Sequence, residues 1–120
     1  MIERIFPPGA PAPKGPYSPA VRAGDYLFLA GQVAPEPGDI GSETRQVLNN
    51  MKLVLEGAGA SLADVAKVGV YLLDGADFAA MNAVYTEFFG DLKPARTTIV
   101  CSFMSKIRIE VDCIAYRPKS

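Results

Sequence analysis

Apolar residues recur along this chain with two periods, one typical of helices and one typical of strands. Helical spacing predicts a helix from about Glu43 to Ala58 and a second from about Asp77 to Phe89. Ser42 is a suitable N-cap for the first helix, and a glycine follows each helix. Their apolar faces carry Val47, Met51, Val54, Leu55 and Ala58 in the first helix, and Phe78, Met81, Tyr85, Phe88 and Phe89 in the second.

Strand patterns occupy the remaining segments. The predicted strands are a hairpin of Ala20–Arg22 and Tyr26–Val33 with its turn at Ala23–Asp25, then Val65–Leu73, Thr97–Phe103 and Lys106–Tyr116. In the last strand Ile107, Ile109, Val111, Cys113 and Ala115 alternate with Arg108, Glu110, Asp112 and Tyr116. We expect the apolar set of this strand to meet the two helices.

The strand before it carries Ile99, Cys101 and Phe103 in a matching apolar pattern. We therefore expect Arg96, Thr98 and Val100 on the sheet face that no helix covers. Glu110 is expected on the same face, on what should be a neighbouring strand.

Two helices cover only one side of such a sheet, and the other side also carries apolar groups near Tyr26–Leu29 and Val68–Leu73. An uncovered, partly apolar sheet face is usually buried against another subunit. The pattern thus predicts an α+β fold, with a mixed β-sheet and two helices on one face, that forms an oligomer. The 120 residues contain no repeat or linker, so residues 1–120 are expected to form a single domain.

Composition narrows the classes of function. A net charge of −1 argues against a chain built to hold nucleic acid. No apolar run is long enough for a membrane span, and none resembles an export signal, so we expect a cytoplasmic protein. The two cysteines, Cys101 and Cys113, are then expected to be buried free thiols rather than a disulfide. Six of the ten prolines lie between Pro7 and Pro19 and predict an extended surface strap.

Several chemistries have no residues to support them. The chain has no histidine, which removes Ser-His and Cys-His nucleophile pairs. It also has no phosphate-binding loop and no metal-ligand cluster. The residues therefore indicate neither a metal site nor a phosphate-binding loop.

Arg96 and Glu110 are the candidate catalytic residues. A guanidinium is a planar fork that grips a small carboxylate through two parallel hydrogen bonds. A glutamate on the same face would hold or deprotonate a water molecule. The alternative is an ordinary cross-strand ion pair, which is common in sheets.

Four further residues are candidates for substrate binding, each with a plain structural alternative. Gly31 lies inside a strand, which indicates a bulge or a close approach of the backbone to a ligand. Asn82 flanks the apolar stripe of the second helix and either lines a site or caps a loop. Tyr17 lies in the proline strap and either covers a cleft or anchors the strap, and Thr98 is also an ordinary strand residue.

The order of these pieces resembles the RidA (YjgF-type) family of imine deaminases over essentially the whole chain. The matching pieces are Gly15-Pro16-Tyr17-Ser18-Pro19-Ala20, Ala30-Gly31-Gln32-Val33, Gln46-x-x-Asn49-x-x-Lys52-x-x-Leu55 with Ala58-Gly59, Asp77-Phe78-x-x-x-Asn82-x-x-Tyr85-x-x-Phe88-Phe89, Pro94-Ala95-Arg96 and Ile109-Glu110-Val111-Asp112-Cys113-Ile114-Ala115.

The resemblance implies a chorismate-mutase-like fold, a homotrimer whose sheets close into a barrel, and sites in the clefts between subunits. It also implies hydrolysis of small 2-imino acids, such as 2-iminobutanoate and 2-iminopropanoate, to 2-keto acids and ammonia without a cofactor. By position, Arg96 would bind the substrate carboxylate and Glu110 would position water. The remaining four candidates, Tyr17, Gly31, Asn82 and Thr98, would line the pocket.

Three positions depart from the family pattern. Ala30 replaces a common serine, Thr98 replaces a common cysteine or serine, and Phe103-Met104 replaces a common Leu-Pro in a connection one residue shorter. Three other hypotheses stay open: a non-catalytic or regulatory binder of small 2-keto acids, a different C–N hydrolase on this scaffold, and an RNA-cleaving inhibitor of translation. The near-neutral charge and the missing histidine argue against the last.

Overall fold

A computed structural model describes residues 1–119 of the chain. The strands are β1 (Ile2–Ile5), β2 (Ala20–Ala23), β3 (Tyr26–Val33), β4 (Val65–Leu72), β5 (Ala95–Val100) and β6 (Ile109–Tyr116), and the helices are α1 (Ile40–Gly57) and α2 (Phe78–Phe89). The strands form a single sheet in the order β1-β2-β3-β6-β4-β5. All neighbours are antiparallel except β4 and β5, which are parallel and joined through α2. The mixed α+β architecture with two helices is confirmed.

The core lies between the two helices and one face of the sheet. Both helices contribute buried apolar residues, among them Val47, Met51, Val54, Leu55, Met81 and Phe89. The alternation predicted for the last strand is confirmed, because Ile107, Ile109, Val111, Cys113 and Ala115 are all buried. Burial raises the pKa of the Cys113 thiol to about 12, so this cysteine stays protonated and unreactive. Cys101 is also a free thiol, although it is only half-buried.

Several boundaries differ from the prediction. Helix α1 begins at Ile40, because Asp39 and not Ser42 is its N-cap: Asp39 Oδ1 accepts a hydrogen bond of 2.8 Å from the Ser42 N–H. Strand β1 pairs with β2 and was not predicted from the sequence. Strands β5 and β6 are shorter than expected, since residues 101–108 form a loop between them.

The predicted placement of Arg96 is wrong. Strand β4 separates β5 from β6, so the strands that carry Arg96 and Glu110 are not neighbours. Arg96 pairs with Val68 and therefore shares its sheet face, which is the helix-covered one. Glu110 pairs with Tyr71 and lies on the opposite, helix-free face. The apolar pattern gave the wrong face because β5 is an edge strand, where apolar residues can point away from the core. Ile99, which was expected to face the helices, is 45% exposed.

The helix-free face carries exposed apolar side chains, as the sequence indicated. Its large apolar residues, each between 44% and 53% exposed, are Ile2, Tyr26, Phe28, Ile99 and Tyr116. An apolar surface of this kind is typical of a contact between subunits. The oligomer itself remains a prediction. Among residues 1–119, no helix is long and apolar enough to cross a bilayer.

Candidate functional site

The predicted site residues fall into two separate groups within the chain. Strand β5 and helix α2 carry Arg96, Thr98 and Asn82, whereas Gly31 and Glu110 lie on β3 and β6. Glu110 shares a row with Tyr71 and Ile99, and Arg96 lies three residues from Ile99 along β5. Strand spacing and rise place the Cα atoms of Arg96 and Glu110 about 14 Å apart, with side chains on opposite faces. We call these groups the arginine half and the glutamate half.

In the arginine half, the guanidinium rests on two aromatic rings of α2. The Arg96 Cζ atom lies 4.7 Å from the centroid of the Tyr85 ring and 5.6 Å from that of Phe78. Within residues 1–119, Arg96 forms no ion pair with any carboxylate, so the hypothesis of a cross-strand pair with Glu110 inside one chain is wrong. Its positive charge is therefore left available to an anion from outside the chain.

Two other predicted residues accompany Arg96. Thr98 pairs with buried Val70 and lies two residues along β5, on the same face as Arg96. Asn82 lies on α2 four residues after Phe78 and three before Tyr85, which places it on the side of the helix that carries the two rings. Both residues are half-buried. The arginine half thus combines one cation, one hydroxyl and one amide.

In the glutamate half, a bulge brings the carboxylate over a glycine. The pairing of β3 with β6 shifts between Leu29 and Gln32, and this shift confirms the predicted irregularity at Gly31. A Cβ atom added to Gly31 would collide with the Glu110 carboxylate and would lie only 2.8 Å from its Cδ. Glycine is therefore needed for Glu110 to take this position.

Tyr17 approaches the glutamate half from the proline strap. Together with Gly31 it lines a small cavity of about 70 Å³ between the strap, the bulge and α1. Its ring is 49% exposed, and its hydroxyl accepts a 3.3 Å hydrogen bond from the Lys14 backbone N–H. Tyr17 is thus brought near Gly31 but is not brought near Arg96 by anything within the chain.

An open cleft of about 420 Å³ lies on the other side of Glu110. The loop after β5 forms one wall of the cleft, and Val33, Tyr71, Glu110 and Asp112 form the floor; the wall residues are Cys101, Ser102, Phe103, Met104, Ser105 and Ile107. The Phe103-Met104 departure therefore falls in the wall of the cleft that holds the candidate base.

Burial raises the pKa of the Glu110 carboxyl, and the neighbouring charge of Asp112 raises it further. A carboxylate with a raised pKa is a better proton acceptor than an ordinary glutamate, which suits a general base. Asp112 is itself held by Tyr71, whose hydroxyl donates a 2.9 Å hydrogen bond to Asp112 Oδ2. This bond is the main cause of the raised pKa of Tyr71.

Sequence reasoning missed three contributors to the site. Tyr71 and Asp112 shape the cleft beside Glu110, and the strict alternation of β4 and β6 carried the signal for their face. Glu43 is the third: its buried carboxylate accepts the backbone N–H groups of Arg108, at 2.8 Å, and Gly38, at 3.1 Å. This carboxylate fixes the loop just before Glu110, and nothing in the local sequence indicated it.

The arrangement suits capture of a small organic acid and activation of water. Arg96 offers a cation for a carboxylate, and Glu110 offers a base. No group of three or more potential metal ligands occurs in the described part of the chain. Because the two halves lie on opposite faces, a ligand held by one copy of the chain can contact only one of them.

Known proteins resemble this chain along almost its full length. Residues 8–117 match the family described as Endoribonuclease L-PSP. A RutC family protein of Pyrococcus horikoshii is 52% identical over 98% of this chain and 99% of its own length. A protein of Dermatophagoides farinae named 2-iminobutanoate/2-iminopropanoate deaminase is 39% identical, covering 92% of each chain. The crystal structure of E. coli TdcF with bound serine superimposes with a TM-score of 0.90 at 30% identity, over 96% of this chain and 98% of that one.

Proposed function

The chain belongs to the Endoribonuclease L-PSP family, and from this premise we propose that it hydrolyses small 2-imino acids to 2-keto acids and ammonia. Support comes from the relative named 2-iminobutanoate/2-iminopropanoate deaminase. The serine bound to TdcF supports a ligand of the size and charge of a small amino acid. The observation that carries the proposal is the unpaired Arg96 guanidinium, a cation held ready for an anion.

In this proposal two copies of the chain complete each site. One copy supplies the arginine half and the other supplies the glutamate half, because the two are about 14 Å apart on opposite faces of one chain. The apolar helix-free face, which carries Glu110, is suited to such a contact. A homotrimer with three equivalent sites fits the requirement that a contact between unlike surfaces close into a ring.

The chemistry needs no cofactor. Arg96 binds the substrate carboxylate with two hydrogen bonds, which places the imine carbon within reach of a water held by Glu110. Glu110 accepts a proton as the water oxygen bonds to the carbon of the protonated imine, which gives a neutral amino alcohol. Glu110 then returns this proton to the nitrogen, and the C–N bond breaks with release of ammonia. As the C=O bond forms, the hydroxyl proton passes to Glu110 and from there to solvent. Thr98, Asn82, Tyr17 and the Gly31 backbone line the space around the substrate.

The direct test measures loss of 2-iminobutanoate generated in situ from an amino acid. Native protein is expected to accelerate hydrolysis, and Arg96→Ala is expected to reduce kcat/KM by about 100-fold or more, because the carboxylate loses its charged partner. Arg45→Ala is the matched control, since Arg45 forms an exposed ion pair with Glu87 away from both halves. Equal activity of native and Arg96→Ala protein would refute the proposal.

A second candidate, a binder of 2-keto acids without turnover, is favoured by Ala30. This residue lies in the bulge next to Gly31, where the family commonly has a serine hydroxyl. The binder hypothesis predicts that 2-ketobutyrate stabilises the protein thermally while imine loss stays at the uncatalysed rate. Acceleration by native protein would decide against it.

Cleavage of RNA, which the family name Endoribonuclease L-PSP suggests, has less support here. The net charge is −1 and the chain contains no histidine to act as an acid or base. Binding of RNA that weakens steeply with salt would restore this hypothesis.

A further inference from the structure

Arg96 is supported by the faces of two aromatic rings and not by a carboxylate of the described residues. Its guanidinium carbon lies over Tyr85 and close to Phe78, and no acidic side chain in residues 1–119 pairs with it. A cation over a ring is attracted to the negative face of the ring, but its charge is not neutralised. Aromatic support thus fixes a guanidinium and still leaves its hydrogen-bond donors free for an anion.

The two rings are not equivalent supports. Tyr85 is only 9% exposed and stacks on Phe89, with centroids 4.6 Å apart and planes inclined by 31°. Phe78 is 46% exposed and lies farther from the guanidinium. A buried ring locked by a second aromatic residue has little freedom to move. Tyr85 is therefore the rigid part of the support, and Phe78 is its outer edge.

The Tyr85 hydroxyl lies near the Arg96 guanidinium, whose charge opposes the rise that burial causes in the pKa of Tyr85, but no hydrogen bond of normal geometry joins the two groups among the described residues. The hydroxyl oxygen is buried and has no partner among the described residues. Burial raises the pKa of Tyr85, so the side chain remains a neutral phenol and its ring face keeps its attraction for a cation. The face of the ring is what contacts Arg96.

We propose that Tyr85 is the positioning residue of the carboxylate clamp, acting through the face of its ring on the Arg96 guanidinium. The inference rests on the proposed function, because it assigns Arg96 the substrate carboxylate. Tyr85 itself does not contact the substrate. Its role is to restrict Arg96 to the orientation in which both guanidinium donors reach one carboxylate, an advantage lost when the side chain can swing away.

The test compares Tyr85→Leu, which removes the ring, with Tyr85→Phe, which keeps the ring and removes only the hydroxyl. Loss of the ring is expected to raise KM for 2-iminobutanoate about tenfold with kcat within about twofold, because the clamp holds the carboxylate equally in ground and transition states. Tyr85→Phe, which keeps the ring, is expected to have the same KM as the native protein. Phe78→Leu, at the more distant and exposed ring, is expected to raise KM about threefold.

Binding of 2-ketobutyrate, measured by calorimetry, gives a readout independent of turnover, and its dissociation constant should follow the same order as KM. A native KM and dissociation constant in both Tyr85→Leu and Phe78→Leu would overturn the positioning role while leaving the deaminase proposal intact. An equal rise in KM in Tyr85→Leu and Tyr85→Phe would also overturn the positioning role, because Tyr85→Phe lacks only the hydroxyl. If native protein neither accelerates imine loss nor binds 2-ketobutyrate, the proposed function and this inference fail together. Should Tyr85→Leu not fold, Tyr85→Met, which also removes the ring, takes its place, and a native KM in that variant would overturn the positioning role.

Discussion

The arginine half and the glutamate half hold their charged groups in opposite ways. Arg96 lies on an edge strand, where two aromatic rings support its guanidinium and no carboxylate of residues 1–119 forms an ion pair with it. Glu110 lies on a central strand, where it leans over the backbone of Gly31 beside a second carboxylate. In the arginine half, the charge of Arg96 is not neutralised by a carboxylate of the described residues. In the glutamate half, burial and the like charge of Asp112 make the ionised form of Glu110 less stable.

This difference explains why the two groups are kept apart. An arginine within reach of a glutamate would pair with it, which would lower the pKa of the carboxyl and occupy the guanidinium. Placement on opposite faces of one chain prevents that pairing during folding. In the proposed assembly, the two groups would meet across a contact between copies, where a substrate carboxylate would take the place of an internal ion pair.

The largest expected effect comes from mixing two inactive variants. Arg96→Ala and Glu110→Ala are each expected to lose nearly all activity, but trimers that contain both variants should regain about a third of the native rate. In each such trimer, about one contact in three joins an intact Arg96 to an intact Glu110. The measurement is imine loss by proteins co-expressed with two tags and purified on both.

No regained activity in a mixture shown to contain both variants would mean that each site is formed within one copy. The comparison of two halves would then be wrong. Separately purified variants mixed without exchange of subunits serve as the control.

A substitution at Gly31 tests the glutamate half alone. The added methyl of Gly31→Ala would overlap the Glu110 carboxylate and displace it, so kcat is expected to fall by about 10- to 100-fold with a smaller change in KM. Gly57→Ala is the matched control, because its methyl would overlap the Pro7 side chain without meeting Glu110, Asp112 or Tyr71. Equal losses of kcat in the two variants would show that the position of Glu110 over Gly31 does not matter.

Much of the fold could be predicted from periodicity. The core face of β6 and the approximate extents of both helices followed from alternation and helical spacing, because burial on one side imposes those periods. Strand order could not be predicted, since β6 inserts between β3 and β4, and pairing between distant segments leaves no local pattern.

For the candidate site, the sequence suggested residues, but its prediction of which of them lie together was wrong for Arg96 and Glu110. Gly31 was marked by its place in a strand, and the bulge confirms that signal. The prediction that Arg96 and Glu110 share a sheet face was wrong. In an edge strand such as β5, the apolar residues need not alternate toward the core. The support of Arg96 by Tyr85 is a contact between α2 and β5 that depends on the crossover packing, so the spacing of aromatic residues alone could not reveal it.

The pH dependence sharpens the description of Glu110. Because its pKa is raised, mainly by burial, kcat/KM should begin to fall at a higher pH than an ordinary glutamate would allow as the base becomes protonated. Asp112→Asn removes the second cause, so the acidic limb of the profile should move to lower pH while staying above that of an exposed glutamate. Profiles of kcat/KM for native and variant protein provide the check. A limb that moves to higher pH, or does not move, would show that Asp112 does not act on Glu110 through its charge.

The smallest effects separate the two tyrosines, one in each half. The Tyr71 hydroxyl donates to Asp112, so Tyr71→Phe should lower the free energy of unfolding by about 1 kcal/mol. Among residues 1–119 the buried Tyr85 hydroxyl has no hydrogen-bond partner, so Tyr85→Phe should raise the free energy of unfolding or leave it unchanged, because an unsatisfied buried group is removed. Urea unfolding at equal protein concentration measures both values. Destabilisation by Tyr85→Phe as large as that by Tyr71→Phe would mean that the Tyr85 hydroxyl finds a partner once copies assemble, and the arginine half would then hold its guanidinium beside a hydrogen-bonded network instead of a bare aromatic face.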